Sequence, residues 1–231
     1  MKIIAIVNPK GGVGKTNTTR TVARGLALEA KRVWMGETDP QNSLIEWKLS
    51  AGNTQKQPSL IELNASSVNN LNQSIAKSLT GYANEPENEK RLDYFVIDGC
   101  ALEFRFINSV LNVADLVIVP TQASSDDLCQ LGEIIELIES VQIKRQAKKL
   151  RPLLARSLIN KAKIGTRSLT ESLELLNNKD NVPFPSFKTV IRDYEGIRRA
   201  AQTGGTAFES DNKNARADAK NLVKEIMRLT K

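Results

Sequence analysis

Residues Ile3–Val7 form an unbroken apolar run, and the chain turns at once through N-P-K-G-G-V-G-K-T, residues 8–16, into a helical pattern that begins at Thr16. A strand, a glycine-rich turn and a helix in immediate succession leave few folds open. The strand is too continuously apolar to lie half-exposed, so it belongs inside a sheet covered on both faces. Similar runs recur at 32–36, 94–97, 116–119, 153–159 and 187–191. Helical patterns fill 16–30, 43–50, 67–79, 104–113, 126–146, 166–177, 194–203 and 213–230. Strands that alternate with helices pair in parallel through right-handed crossovers. The expected fold is therefore α/β, a doubly wound, mostly parallel sheet with helices on both faces, and its ligands bind at the carboxyl ends of strands. The chain has no internal repeat or low-complexity tract, and its 231 residues read as one domain over 1–231. The polar stretch 81–91 is an exposed connection, because the strand after it completes the same sheet.

Composition narrows the chemistry. Histidine is absent, which removes Ser-His-Asp triads, His-ligated zinc and imidazole acid/base catalysis. Catalysis must use carboxylates, lysines or backbone. Cys100 and Cys129 lie far apart without metal-ligand spacing, consistent with a reducing compartment and no disulfide framework. No apolar run approaches the ~18 residues of a membrane span, and the short N-terminal run lacks the features of a signal peptide, so a cytoplasmic location is expected. The 33 Lys and Arg against 26 Asp and Glu give a net charge of +7, a hint of a polyanionic partner such as nucleic acid.

The turn itself carries the chemistry. Between a strand and a helix, successive backbone N–H groups and the helix N-terminus cradle an anion, and glycines let phosphate approach the backbone. The common phosphate-loop pattern G-x-x-x-x-G-K-[ST] needs glycine at position 9, where Pro9 stands. What remains is K-G-G-V-G-K-T, with Lys15 suited to β- and γ-phosphates and Thr16 to Mg²⁺. A second lysine, Lys10, stands at the mouth of the same turn.

This pattern, K-G-G-x-G-K-[ST], resembles the deviant Walker A loop of the ParA/MinD family of ATPases, and small plasmid-type ParA proteins most of all. The resemblance implies a P-loop NTPase that binds ATP and Mg²⁺ through Gly11, Gly12, Val13, Gly14, Lys15, Thr16 and Asn17. It also implies that Lys10 crosses a dimer interface to the partner's ATP, so that dimerisation reports nucleotide state. Glu37-Thr38-Asp39-Pro40-Gln41 resembles the family's D-x-D-P-Q, in which Asp39 would orient or activate the attacking water and face the metal shell. Glu37 stands where the family has a first aspartate and is expected, with Lys10, Lys15 and Asp39, among the catalytic residues. Phe95-Val96-Ile97-Asp98 looks like Walker B, which assigns Asp98 to Mg²⁺. Gly99-Cys100-Ala101 replaces the usual Thr-Pro-Pro. Leu116–Pro120 and the following Ser125-Asp126-Asp127 resemble the next family strand, with Asp127 the best match and Ser125 or Asp126 equally suited to cap a helix. Asn160 falls where relatives place an adenine-contacting loop. The segment from Phe187 to Gly205 resembles the closing part of small plasmid ParA proteins.

The reading that follows is a weak Mg²⁺-dependent ATPase for DNA partitioning. Its ATP-bound homodimer would coat nonspecific DNA, lie at the nucleoid and be reset by a ParB-type centromere-binding protein. Because the first strand begins at residue 2, no N-terminal helix-turn-helix domain is expected. Basic residues in the closing third, Arg192, Arg198, Arg199, Lys213, Arg216, Lys220 and Lys224, are the candidate DNA contacts. A MinD-like membrane-cycling ATPase or a positioner of other cargo is the alternative. The apolar stripe Ala215, Ala219, Leu222, Val223, Ile226 and Leu229 lacks bulky aromatics, so core packing is expected for it and no membrane partner.

Overall fold

The computed structural model describes residues 1–38, 43–51, 58–63, 66–84, 92–99, 104–124 and 131–231. Among these, six strands form one sheet: β1 (Lys2–Val7), β2 (Val33–Glu37), β3 (Ser59–Glu62), β4 (Tyr94–Gly99), β5 (Leu116–Gln122) and β6 (Leu154–Asn160). Their order is β3-β2-β4-β1-β5-β6, and every neighbouring pair is parallel. Eight helices accompany them among the described residues: α1 (Lys15–Leu28), α2 (Ser43–Ala51), α3 (Val68–Ala83), α4 (Phe104–Val113), α5 (Leu131–Ala147), α6 (Arg167–Asn177), α7 (Glu195–Gln202) and α8 (Lys213–Leu229).

The alternation of side chains along β1 sorts the core into two layers. Ile3, Ala5 and Val7 face a layer that includes Leu71 and Ile75 of α3, Ile107 and Leu111 of α4, and Ile134 and Ile138 of α5. Ile4 and Ile6 face the opposite layer, built from Val22 and Leu26 of α1, Trp47 of α2, Ile197 of α7 and Leu222 and Ile226 of α8. Both faces are therefore covered, as the unbroken apolar strand required. The α8 stripe goes into the core as expected, with Ala215, Ala219, Leu222, Val223 and Ile226 all buried. Asn212 starts that helix by accepting hydrogen bonds from the Asn214 and Ala215 amides.

Two expectations need correction. Strand β3 is absent from the sequence reading, because it has only four residues, S-L-I-E, with both ends exposed at the sheet edge. Conversely, 187–191 is not a strand of the sheet. It runs beside β6, held at intervals by Phe187 N–H on Ser157 O and Ile191 N–H on Ile159 O, and Phe187 and Ile191 are buried in the core beneath α8. Its apolar residues serve packing, while Glu225 of α8 accepts the amides of Lys188 and Thr189 that a neighbouring strand would otherwise take.

Candidate functional site

Strand β1 ends at Val7, in the centre of the sheet, and delivers residues 8–14 to its carboxyl edge. Asn8 is buried there and fastens the loop at both ends of its amide. Its Nδ2 donates to Pro120 O of β5 at 2.8 Å, and its Oδ1 accepts from Lys10 N at 2.8 Å. Gly12 and Gly14 have φ of 76° and 95°, in the left-handed region where a Cβ is strained. At Gly14 a Cβ would also fall 2.8 Å from Asn160 Nδ2, whereas at Gly11 and Gly12 it would project into open space. The backbone N–H groups of Gly11, Gly12, Val13 and Gly14 find no acceptor among the described residues. Together with the N-terminus of α1 they form an open cradle for an anion.

The two lysines of the loop are arranged differently. Lys15 is 7% exposed, and its ammonium donates to the Lys10 carbonyl at 2.6 Å. It thus lies inside the turn, where incoming phosphate oxygens would replace the carbonyl. Lys10 is half-buried at the mouth. Thr16 and Asn17 occupy the first turn of α1, and the Asn17 Oδ1 accepts from Arg20 Nε at 3.3 Å.

Two acids stand on adjacent strands. Asp98 of β4 is buried, in register with Ile6 of β1 and with Glu37 of β2. Arg20 of α1 has its pKa lowered by burial, against an opposing pull from the Asp98 carboxylate. Arg20 is thus a cation close to the acid, and the sequence reading missed it. Glu37, expected in catalysis, is also buried, and its Oε2 accepts the Leu44 amide of α2 at 2.7 Å. This bond ties the end of β2 to the first turn of α2. Thr38 Oγ1 donates to the Asp98 carbonyl and closes the same edge. Asp39 lies outside the described residues, as do Cys100 and the stretch from Ser125 through Asp127 to Cys129.

The donor set fits a small hard cation. A small hard cation that sits beside phosphates takes few protein ligands. Mg²⁺ is bound in that way, through a hydroxyl, one or two carboxylates, water and substrate phosphates. The Thr16 hydroxyl and the Asp98 carboxylate are the groups suited to it.

A family model described as the CobQ/CobB/MinD/ParA nucleotide binding domain matches residues 4–207, which include the whole site. The chain belongs to this family. Maintenance of carboxysome distribution protein A of Gloeobacter kilaueensis is 27% identical to this MinD/ParA-family chain over 230 residues, covering 98% of it and 94% of the relative. Among solved structures, the MinC:MinD cell division protein complex of Aquifex aeolicus matches with a TM-score of 0.70 at 15% identity, covering 99% of this chain and 96% of that one. McdA of Cyanothece, an aspartate-to-alanine variant complexed with ATP, matches with a TM-score of 0.66 at 18% identity, with coverage of 99% and 96%. These structures share the fold of this MinD/ParA-family chain, a parallel sheet with the loop at its carboxyl edge.

Asn160 stands behind the loop. Its Nδ2 donates to Val13 O and to Thr18 Oγ1, both at 3.0 Å, and it is 2% exposed. The candidate DNA residues divide into two groups. Arg192 holds Asp218 through two hydrogen bonds of 2.8 and 2.7 Å and stacks on Tyr194; the bond to Asp218 raises its pKa. Arg198 pairs with Asp193 and Glu195, and Arg199 pairs with Asp211. Arg216 donates to the Ser210 carbonyl. Lys213, Lys220 and Lys224 are exposed, share one face of α8 and have no acidic partner among the described residues. Arg228 joins that face and was not expected; it continues the spacing by one further turn.

Proposed function

We propose that the chain is an ATP-driven positioning ATPase. ATP brings two copies together across their phosphate loops, the dimer holds nonspecific DNA through the lysine face of α8, and a cargo-adaptor protein stimulates hydrolysis and release. The observation that carries this reading is the pair of lysines in one loop. Lys15, buried in the turn, is placed to serve its own nucleotide. Lys10, at the mouth, adds a cation that a single nucleotide in this cradle does not require, and a facing subunit's triphosphate supplies its target. ATP then becomes part of the interface.

The chain's own residues divide the remaining work. The N–H groups of Gly11 to Gly14 and the N-terminus of α1 bind the phosphates. Thr16 and Asp98 would hold Mg²⁺, which would offset the charge of the phosphate oxygens. Asp39 orients the attacking water. The reaction is slow until a partner arrives, as suits a timer rather than a metabolic enzyme. A relative named for carboxysome distribution, which matches nearly the whole chain, supports cargo positioning as the broader form of the reading. A ParB-type protein that partitions a plasmid is the narrower form of the same reading. The α8 stripe is spent in the core, which favours DNA over a membrane as the matrix and a site at the nucleoid. Among the described residues no helix is long and apolar enough to cross a membrane.

Light scattering after size exclusion, with a slowly hydrolysed ATP analogue, tests the proposal. Wild type is expected to elute as a dimer. Lys10→Ala is expected to bind the analogue and stay monomeric, and a normal dimer of this variant would overturn the assignment.

A further inference from the structure

Glycine-rich loops bind phosphate only when their peptide planes face the right way, yet glycines by themselves let those planes turn. Here the orientation is imposed from behind. Gln122 ends β5, Asn160 ends β6, and the two are register partners. Gln122 Nε2 donates to Gly12 O at 3.2 Å, and Asn160 Nδ2 donates to the next carbonyl, Val13 O, at 3.0 Å. Along an extended strand the side chain after Asn160 would point to the other face. Lys161 instead has φ of 52°, unusual for a residue with a Cβ. The left-handed turn breaks the alternation, and Lys161 Nζ also reaches Gly12 O, at 2.9 Å.

The peptide bonds of the loop are trans, and in a trans peptide the carbonyl and the following N–H point in opposite directions. Drawing Gly12 O outward therefore turns Val13 N–H inward, and drawing Val13 O outward does the same for Gly14 N–H. Both are among the cradle N–H groups that find no acceptor among the described residues. We infer that Lys161 and Gln122 form a positioning pair, sharing the Gly12 carbonyl so that the Val13 amide faces the phosphate of a bound nucleotide. The inference rests on the nucleotide reading of the loop. Lys161 acts on the carbonyl and not on the phosphate, and the strained backbone at Lys161 is what brings its ammonium to that carbonyl.

The test is titration of the ¹⁵N-labelled full chain with mant-ADP and Mg²⁺, followed by fluorescence and by the Val13 amide resonance. Because one donor remains in each single variant, Lys161→Met and Gln122→Met should each weaken binding only about 3-fold, the scale of one hydrogen bond. The double variant should weaken it by at least about 30-fold, well beyond the ~9-fold product of independent sites. In the double variant alone, the Val13 amide should no longer shift on adding nucleotide. Lys161→Arg, which keeps a donor, should bind within about 2-fold of wild type. If circular dichroism shows the double variant unfolded, Lys161→Met with Gln122→Asn replaces it, since the shorter amide withdraws from Gly12 O. A double variant no weaker than the product of the singles overturns the pair. So does Lys161→Met alone causing the whole loss, which would mark a direct phosphate contact. Wild type that fails to bind mant-ADP overturns the nucleotide reading itself.

Discussion

Shortening Glu37 to aspartate separates a structural carboxylate from a catalytic one. Glu37 Oε2 lies 2.7 Å from the Leu44 amide, and Glu37 is 1% exposed. Removing one methylene withdraws the carboxylate by about 1.5 Å, so a bond of normal length becomes a separation of roughly 4 Å, beyond hydrogen-bond range. A charge-assisted hydrogen bond contributes about 1.5–3 kcal/mol, and a buried amide left unsatisfied costs a similar amount. Taking about 2 kcal/mol, and about 2–4 °C per kcal/mol for a domain of this size, Glu37→Asp should lower Tm by roughly 4–8 °C. Exchange of the Leu44 amide should accelerate about 30-fold if it opens with that free energy. Glu37→Gln keeps an acceptor at full reach. It loses the charge at the α2 N-terminus, worth about 0.3–1 kcal/mol, and also the like-charge opposition to Asp98, its register neighbour. It should therefore be the milder variant, within about 4 °C of wild type. The order matters more than the size. An essential acid or metal ligand would tolerate aspartate better than glutamine, whereas a cap that depends on reach tolerates glutamine better. Thermal unfolding followed by far-UV circular dichroism without nucleotide reads this directly, and Tm for Glu37→Asp equal to or above that of Glu37→Gln would refute the reasoning.

Lys15→Ala should abolish binding of mant-ATP with Mg²⁺, and Thr16→Ala should abolish the Mg²⁺-dependent part; wild-type affinity in Lys15→Ala would remove the loop from the site. Asp39→Ala should bind ATP and persist as a dimer with little phosphate release, because an effect on water falls on turnover rather than on binding; undiminished release would move the role to another acid. Lys220→Ala with Lys224→Ala should flatten the slope of log affinity for plasmid DNA against log salt by about 1.8 per subunit, at roughly 0.9 per lost phosphate contact. ATPase activity without DNA should be unchanged in that variant, and an unaltered slope would place the DNA contact elsewhere.

The charge pattern shows where reading the sequence stops. Spacing within one element is legible: positions 213, 220 and 224 fall on one helical face because of the 3.6-residue period, and the structure places those lysines there. Pairing between elements is not. Arg192 is cancelled by Asp218, 26 residues away, and Arg199 by Asp211, so counting basic residues overstated the open positive surface. The same division explains the elements. Strands β1, β4 and β5 are buried on both faces and declare themselves through unbroken apolar runs, while β3 at the edge needs no such run. Phe187 and Ile191 imitate a strand because they fill the core beneath α8.

The anion site shows both sides of this division within a few residues. Its inner surface, the run of N–H groups from Gly11 to Gly14, is local chemistry and follows from K-G-G-V-G-K-T alone. Its outer wall comes from Asn8, Gln122, Asn160 and Lys161, and the last three reach the loop across sequence separations of 110 to 149 residues. Nothing in their own neighbourhoods marks Gln122 or Lys161 as parts of a phosphate site. They become legible only through strand order, which sets β5 beside β1 and β6 beside β5, so that the carboxyl ends of all three strands converge on one loop. A flexible loop can supply donors, but only the rigid sheet behind it can aim them. The loop and the two strand ends are therefore one functional unit, and substitutions at 122 and 161 belong with those at 10 and 15 when the nucleotide chemistry of this chain is measured.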